Sequence, residues 1–252
     1  MTLLITGAAG TIGARLAADL ATRGVPLRLL DRRPPSSGTP AGADFVQADL
    51  RDQAAIEAAA ARVSAIVHLA GVTDEGPFAA MVEHNITGTH HVLEAARRQR
   101  VPRVVLASSH HVTGLNPVGH PMADVTAPDS FYAVSKVTLE ALGRLYAHKT
   151  GVEIVAVRIG SYRTHPSEPR HRATWLSPAD ATTLLHAAAT RPLPCRFLTV
   201  HGTSGNSESW WPRTGWDALG YHPADDAARH PETGPLTDTH VGGAFADYDL
   251  PA

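Results

Sequence analysis

The sequence predicts an α/β fold, a doubly wound parallel sheet with helices on both faces and a small C-terminal part. Three observations predict it. Short apolar runs of strand length alternate with helical patterns as far as about residue 160. Spaced glycines follow the first run directly, and an aspartate ends the second. Alternation of this kind is typical of βαβ units, in which a crossover helix joins each strand to a parallel neighbour.

Length and composition limit the number of domains and the kind of partner. The chain has 252 residues, 43% of them hydrophobic, and we expect one domain, residues 1–252. The formal net charge is -2 and there is no basic run, which argues against nucleic acid and against an anionic membrane as partners. A small molecule is therefore the expected partner.

The cysteine and histidine content of the sequence indicates the cellular compartment and whether a metal site is expected. Cys195 is the single cysteine, which excludes an internal disulfide and a cysteine-based zinc site and fits a reducing cytoplasm. The N-terminus lacks a signal-peptide pattern and no apolar run reaches membrane-span length, so we expect a cytoplasmic protein without a membrane anchor. The 15 histidines include the adjacent pairs His90-His91 and His110-His111, whose members diverge on a helix or strand, and we expect no metal site.

The glycine-rich stretch lies between the first strand, residues 3–6, and a helix over residues 14–23. Its spacing is G-x-x-G-x-x-G. Glycines at such a turn let the backbone bend tightly and approach a pyrophosphate, and the helix N-terminus favours the phosphate charge. The stretch predicts a dinucleotide site, with contacts from Gly7, Gly10, Thr11, Ile12 and Gly13.

The end of the second strand, residues 27–30, carries the residue that predicts the kind of dinucleotide. Asp31 follows it, 18 residues beyond Gly13, where a carboxylate is expected to meet the adenosine ribose hydroxyls. An acid there repels a 2′-phosphate, so NAD is the first choice. Arg32 and Arg33 come next and could instead accommodate that phosphate, which leaves NADP open.

Further strand ends complete the expected cofactor site. A third strand is predicted over residues 45–50, with Asp49 beside the adenine, and a fourth over residues 65–69, with Thr73 on the loop beyond. A long helix over residues 78–98 has an apolar stripe that could form the core or a dimer face. The remaining expected cofactor contacts are Leu50, Leu69, Ala70, Gly71, Tyr132, Lys136 and Ile159.

Candidate catalytic groups follow the fifth strand, residues 104–107. In an open α/β sheet the ligand crevice lies outside the carboxyl ends of the strands, which is where Ser108 and Ser109 stand, although serines can also end a strand by local hydrogen bonding. Tyr132 and Lys136 are four residues apart and share one face of the next helix. A nearby ammonium would lower the pKa of the phenol and make the pair an acid/base.

The rest of the chain predicts a sixth strand over 153–157, a helix over 177–190, a strand over 197–200 and a helix within 210–219. The polar segment 162–174 between them is expected to cover the site as a loop. We therefore divide the single domain into a mainly dinucleotide-binding core, residues 1–160, substrate-covering loops and helices, residues 161–224, and a tail, residues 225–252.

In this order, the glycine turn, Asp31, Ser109 and Tyr132-x-x-x-Lys136 resemble an extended short-chain dehydrogenase/reductase of the NAD-dependent epimerase/dehydratase family. The resemblance reaches the stretch from Leu219 to Pro223, which is similar to that family's closing motif. It implies a Rossmann-like fold with bound NAD and a catalytic triad of Ser109, Tyr132 and Lys136. Ser109 is preferred to Ser108 because the family's catalytic serine stands three residues before a Val-x-Gly motif, here at residues 112–114.

Within that family the chain is most similar to uronate dehydrogenases, in residues 67–73, 77–78, 107–114 and 158–175. This resemblance implies oxidation of the anomeric carbon of a hexuronic acid, glucuronate or galacturonate, to an aldarolactone. Arg170 would bind the sugar carboxylate. Position 110, usually asparagine in that group, is histidine here, which leaves the sugar open. The residues implied to contact substrate are Thr73, Ser109, His110, His111, Tyr132, Ser161 and Arg170.

Two other functions fit the same motifs. One is an epimerase or dehydratase that acts on a nucleotide-linked sugar, although the chain lacks the long C-terminal substrate domain that such enzymes carry. The other is a dinucleotide-sensing regulator on the same fold. Such regulators commonly lose the Tyr/Lys pair, which this chain retains.

Overall fold

The computed structural model describes residues 2–119, 125–235, 238–247 and 249–250. Seven parallel strands form one sheet in the order β3-β2-β1-β4-β5-β6-β9, and this order confirms the predicted doubly wound parallel sheet. The strands are β1 (Leu3–Thr6), β2 (Leu27–Asp31), β3 (Ala43–Gln47), β4 (Ala65–His68), β5 (Arg103–Ser109), β6 (Glu153–Ile159), β7 (Ser161–Tyr162), β8 (Trp175–Leu176) and β9 (Phe197–Gly202). β7 and β8 pair separately.

Helices cover both faces of this sheet. Leu16 and Leu20 of α1 pack with Leu184 and Leu185 of α7 in one apolar cluster, and the other face is covered by α2, α4 and α5. The described helices are α1 (Thr11–Thr22), α2 (Gln53–Ala59), α3 (Phe78–Ala80), α4 (Gly88–Arg98), α5 (Phe131–Thr150), α6 (His171–Thr174), α7 (Pro178–Thr190), α8 (Trp216–Leu219) and α9 (Ala244–Asp247). None of the described helices is long and apolar enough to cross a membrane.

At their carboxyl ends, β5 and β6 extend further than the sequence predicted. β5 continues through Ser109 and β6 through Ile159, and these two residues are register partners. The prediction stopped at residues 107 and 157, because polar side chains broke the apolar runs there. In the structure those polar residues are buried and bonded, so the backbone ladder continues past them.

The third strand lies at residues 43–47, whereas the sequence predicted 45–50. It is an edge strand with no fully buried residue, so its apolar pattern is weak. Asp49 lies beyond its end, where the Asp49 backbone carbonyl accepts from Asp52 N at 3.0 Å in a turn. Asp52 then caps α2 by accepting from Ala55 N, as the sequence predicted.

The predicted long helix over 78–98 is helical throughout, but Met81–Thr87 forms a π-helical segment between α3 and α4. That segment holds Asn85, whose side chain bonds both backbone polar groups of Val72 and donates to Ser135 Oγ at 2.9 Å. A π turn re-aims side chains relative to a regular helix. Here it accompanies a buried amide that joins the loop after β4 to α5.

Part of the segment predicted as a C-terminal tail forms backbone hydrogen bonds with the loop after β5. Gly242 N donates to Gly114 O at 2.9 Å, and Val118 N donates to Thr239 O at 3.0 Å. The segment predicted as a covering loop, residues 162–174, ends in α6 and lies between the short paired strands β7 and β8. Residues 239–247 therefore lie against the loop after β5, close to the carboxyl ends of the sheet.

Candidate active site

One cavity of about 570 Å³ runs along the carboxyl ends of the central strands. All residues that the sequence analysis named for cofactor, catalysis and substrate line it. They are Gly7, Gly10, Thr11, Ile12, Gly13, Asp31, Arg32, Asp49, Leu50, Leu69, Ala70, Gly71, Thr73, Ser109, His110, His111, Tyr132, Lys136, Ile159, Ser161 and Arg170. The fold thus brings segments from every part of the chain to one crevice, as open α/β sheets do.

The glycine turn forms a backbone cradle at one end of this cavity. Gly7 has φ +72°, and a Cβ there would lie 2.6 Å from Ala70 N. A Cβ on Gly13 would lie 2.1 Å from the Gly7 carbonyl oxygen. Gly10 precedes α1 without any side-chain cap, which leaves the first N–H groups of that helix for another acceptor. A pyrophosphate fits this donor set.

Asp31 occupies the position expected for a ribose-binding carboxylate. Its Oδ2 accepts from Ala9 N at 2.9 Å and its Oδ1 from Arg33 N at 3.2 Å, so the carboxylate is held at the end of β2. Arg32 and Arg33 are exposed beside it. The cradle and the fixed carboxylate together fit an adenine dinucleotide such as NAD.

Asp49 and Leu50 extend this end of the cavity. Arg51 donates to both Asp49 carboxylate oxygens, and this hydrogen bonding holds the pKa of Asp49 below its ordinary value. Leu50 packs against Gly88, where a Cβ would come within 2.9 Å of its side chain. An ionised acid and an apolar wall therefore lie side by side, next to the predicted adenine position.

Tyr132 and Lys136 are both buried at the middle of the cavity, on α5. Burial raises the pKa of Tyr132 to about 12, and a hydrogen bond with Ser109 opposes that rise. The net lowering of this pKa that the sequence analysis expected was wrong for the described structure, because desolvation of the phenol, the largest cause, raises it. Lys136 Nζ lies 5.5 Å from the Tyr132 ring centroid, and burial lowers the pKa of Lys136 to about 8.

The two serines at the end of β5 have different surroundings. Ser108 Oγ donates to Glu140 at 2.6 Å, and Glu140 also holds Arg158 through two bonds of 2.9 Å. Ser108 is thus part of a buried ionic cluster. Ser109 Oγ accepts from His111 N at 3.3 Å and bonds with Tyr132, so of the two serines it is the one that contacts the candidate base.

Two side chains fix the N-terminus of α5 and hence the position of Tyr132. Ser130 Oγ accepts from Ala133 N at 3.1 Å as the helix cap. The Glu75 carboxylate accepts from Phe131 N and Tyr132 N, each at 3.0 Å. Sequence reasoning missed Glu75. Its only signal was an acid on the Asp-Glu-Gly-Pro loop after β4, the loop that also carries Thr73.

Arg170 reaches the opposite end of the cavity from the turn before α6. Its Nε donates to Glu168 at 2.9 Å and its Nη1 to Gly242 O at 3.1 Å. Within the described residues Nη2 has no partner and remains for a ligand. Ser161 lies beside it, with its Oγ 2.8 Å from Thr174 Oγ1.

The adjacent histidines at this end are held differently. His110 Nδ1 bonds Ile159 O at 3.1 Å, while Nε2 is buried and has no partner among the described residues. Desolvation is the main cause that holds the pKa of His110 well below its ordinary value, and the neighbouring His111 and Arg170 add to it. His110 is therefore neutral, with Nδ1 protonated towards the carbonyl and Nε2 as an acceptor.

His111 is held by groups that the sequence analysis did not name as site residues. Its Nδ1 lies 2.7 Å from Asp129 Oδ2, and its ring centroid lies 4.4 Å from that of Phe245. Phe245 also lines the cavity, although it belongs to the segment predicted as a tail. No local pattern around Phe245 could have indicated this, because only tertiary packing brings the C-terminus back to β5.

Comparisons with known proteins agree with this geometry. The model of the NAD-dependent epimerase/dehydratase family matches residues 3–189. A uronate dehydrogenase from Agrobacterium fabrum is 39% identical over 261 aligned residues, which cover 98% of this chain and 97% of the relative. The resemblance inferred from the motifs is confirmed.

Solved structures show the same similarity. The crystal structure of uronate dehydrogenase from Agrobacterium tumefaciens matches with a TM-score of 0.90 at 38% identity, covering 98% of this chain and 97% of that chain. A mutant of that enzyme complexed with NAD matches with a TM-score of 0.88 at 37% identity, over the same shares of both chains. The predicted Rossmann-like fold and the choice of NAD are both supported by these relatives.

Proposed function

This chain belongs to the NAD-dependent epimerase/dehydratase family, and on that premise we propose that it oxidises the anomeric carbon of a hexuronic acid to an aldarolactone. Glucuronate and galacturonate are the proposed substrates. One observation carries the proposal: Ser109, Tyr132 and Lys136 line the same cavity as the glycine cradle, with Arg170 beyond them. The near full-length similarity to uronate dehydrogenases supports it.

The cofactor site follows from the residues that fit a dinucleotide. The cradle from Gly7 to Gly13 and the N-terminus of α1 would hold the pyrophosphate, and Asp31 the adenosine ribose. NAD, when bound, supplies a hydride acceptor for the C1 hydrogen of the sugar. The protein's part is to hold C1 of the sugar in position for hydride transfer and to receive the proton of the C1 hydroxyl.

Tyr132 would receive the proton of the C1 hydroxyl. A phenol whose pKa is about 12 is a weak acid, so proton uptake is favourable once the phenolate forms, and a nearby ammonium stabilises that phenolate. Lys136 is that ammonium and is anchored by donating to Ala107 O at 2.9 Å. Ser109, bonded with Tyr132, would hold the same C1 oxygen. Loss of hydride and proton together converts the C1 hydroxyl to the lactone carbonyl.

Arg170 would orient the substrate by its carboxylate. An arginine guanidinium binds a carboxylate through charge-assisted hydrogen bonds of fixed direction. Glu168 and Gly242 already accept from Nε and Nη1, so Nη2 is the donor left for the substrate carboxylate. With the sugar held at its carboxylate end, C1 is confined near Tyr132 and Ser109, and such confinement is a large part of hydride-transfer catalysis.

The experiment that tests the function is a substrate panel with NAD or NADP, followed by reduced-cofactor absorbance. Hexuronates, neutral aldoses and nucleotide sugars are compared. Net accumulation of NADH with a free hexuronate is expected. A nucleotide sugar that is converted without net NADH would instead indicate an epimerase or dehydratase, and NAD binding without turnover of any sugar would indicate a regulator.

Replacing the proposed base tests the chemistry. Tyr132→Phe removes the hydroxyl and keeps the ring, so kcat is expected to fall by about 10²-fold to 10⁴-fold, the usual contribution of general acid–base catalysis. NAD affinity, measured by calorimetry, is expected to stay within about twofold, since the phenol oxygen contributes little of the total contact. Full activity in this variant would contradict the assignment of Tyr132.

Quaternary structure and location are part of the same proposal. We propose a cytoplasmic homodimer, with residues 1–160 mainly binding the dinucleotide and residues 161–224 mainly covering the substrate. Val134 and Leu145 are exposed and lie on one face of α5, near exposed Phe78. Light scattering of the purified protein tests the dimer, and cell fractionation tests the cytoplasmic location.

A further inference from the structure

Asp129 is a buried carboxylate that stands three residues before Tyr132. Its side chain is 0% exposed. Oδ2 lies 2.7 Å from His111 Nδ1, and Oδ1 accepts from Ser130 Oγ at 2.9 Å. Because Ser130 is also the cap of α5, one carboxylate connects His111 to the N-terminus of the catalytic helix.

The backbone around Asp129 is shaped to receive this carboxylate. A Cβ on Gly114 would lie 1.7 Å from Oδ2, and a Cβ on Gly242 would lie 1.9 Å from it. The two glycines come from distant segments and are joined by the bond from Gly242 N to Gly114 O. Any side chain at either position would displace the carboxylate, so the 239–247 segment closes the niche that holds Asp129.

His111 is constrained on several sides by this arrangement. Its ring centroid lies 4.1 Å from that of His110 and 6.0 Å from that of Tyr132, in addition to the Phe245 contact. An ionised carboxylate can only accept hydrogen bonds, so the proton of a neutral His111 lies on Nδ1. Nε2 is then the nitrogen that remains for a ligand in the cavity that His111 lines.

We propose that Asp129 is a positioning residue for the sugar-acid oxidation: it fixes the Nδ1–H tautomer of His111 and so presents Nε2 as an acceptor to a substrate hydroxyl. The proposal rests on the proposed function for its kinetic consequence. The tautomer itself does not depend on that function. Asp129 acts through His111 and needs no contact with the substrate.

A purely structural role for Asp129 is the alternative. In that case the carboxylate would only tie the turn after β5 to the N-terminus of α5. Asp129→Asn separates the two roles because the amide has the same shape and can occupy the same niche. It can also turn its NH₂ group towards Nδ1, which would make Nδ1 the acceptor and move the proton to Nε2.

The kinetic test is a double-mutant cycle of Asp129→Asn and His111→Gln with a hexuronate and NAD. Asp129→Asn is expected to lower kcat/KM for the hexuronate by about 10-fold to 100-fold, the size of a lost buried hydrogen bond, while Kd for NAD changes by less than about twofold. The double variant is expected to equal His111→Gln alone. Multiplicative effects of the two changes would overturn the proposal, because Asp129 would then act independently of His111.

A matched control and a spectroscopic readout complete the design. Asp52→Asn makes the same chemical change at the cap of α2, outside the cavity, and is expected to leave kcat/KM unchanged. In ¹⁵N spectra of imidazole groups, the His111 signal, assigned by its absence in His111→Gln, is expected to show the Nδ1–H tautomer and to lose it in Asp129→Asn. An Nε2–H tautomer in the unaltered protein would overturn the inference even if uronates are oxidised. Failure of uronate oxidation with the Nδ1–H tautomer present would overturn the proposed function alone.

Discussion

The cofactor end and the substrate end of the cavity are built from different parts of the protein. At the cofactor end the backbone forms the surface, through the turn between Gly7 and Gly13 and through strand ends. At the end proposed for the substrate side chains form it, and some are held by partners from distant segments, as Arg170 is by Gly242. A backbone surface tolerates almost no added atom, whereas a side-chain surface can be altered group by group.

This difference explains why one end resembles many proteins and the other end few. Pyrophosphate and ribose are common to every dinucleotide, so the same short turn serves all of them. The sugar differs between enzymes, and its contacts come from loops and termini that vary. His110, where the resemblance to uronate dehydrogenases implied asparagine, lies at the end proposed for the sugar.

The largest effect is expected from Gly13→Ala, which tests the backbone end. The added Cβ would lie 2.1 Å from the Gly7 carbonyl oxygen, so the turn must open. The Kd for NAD is expected to rise by more than about 100-fold, which corresponds to more than about 2.8 kcal/mol. Calorimetric titration with NAD measures it.

Gly24→Ala is the matched control for that change. Gly24 has φ +71° and nothing within 4 Å of an added Cβ, so only backbone strain is introduced. It is expected to cost about 1–2 kcal/mol of unfolding free energy and to leave NAD affinity unchanged. Equal losses of NAD affinity in the two variants would show that general destabilisation, and not the cradle, accounts for the effect.

An intermediate effect is expected from Arg170→Lys, which tests the side-chain end. The substitution keeps the charge and removes the planar fork, so kcat/KM for a hexuronate is expected to fall by about 10-fold to 100-fold, with little change for neutral aldoses. Steady-state kinetics with both sugar classes measure this. Arg172→Lys, on α6 and paired with Glu208 outside the cavity, is the control. Equal loss for neutral aldoses would remove the proposed carboxylate contact.

The smallest effect on stability at neutral pH is expected from two buried histidines, His68 and His201. Burial lowers the pKa of His68 to about 3 and that of His201 to about 3. The unfolded chain binds their protons at an ordinary pKa of about 6.5, so their stabilising contribution is complete above that pH and is lost as pH falls towards 3. Within that window each histidine is expected to lower the unfolding free energy by about 1.4 kcal/mol for each unit by which the pH falls.

Urea denaturation between pH 7 and pH 5 measures this slope. His68→Gln and His201→Gln are each expected to reduce the slope by about 1.4 kcal/mol per pH unit, the contribution of one histidine. His68 bonds Thr6 and Thr89, whereas His201 Nδ1 has no partner in the described structure, so the His68 change is expected to cost more stability at pH 7. A slope unchanged in both variants would show that these histidines are accessible to protons in the folded state.

Local sequence patterns were sufficient for the sheet, the cofactor turn and the catalytic pair. Gly7 to Gly13, Asp31 and the Tyr132/Lys136 spacing are short-range features, because a turn, a strand end and one helix face each involve a few consecutive residues. The resemblance added Ser109 and Arg170. The errors lay at strand ends, as at residues 45–50 of the edge strand, where packing on one side only leaves a weak apolar pattern.

Tertiary structure alone decided which groups surround those residues. Glu75, Asp129 and Phe245 reach the site from a loop, a helix entry and the C-terminus, and their sequence separation hides their proximity. It also decided the pKa of Tyr132, because desolvation, the largest cause of its rise, depends on everything packed around the phenol. The sequence by itself thus determined the fold, the cofactor class and the candidate acid/base pair, whereas long-range packing determined how those groups are held and charged.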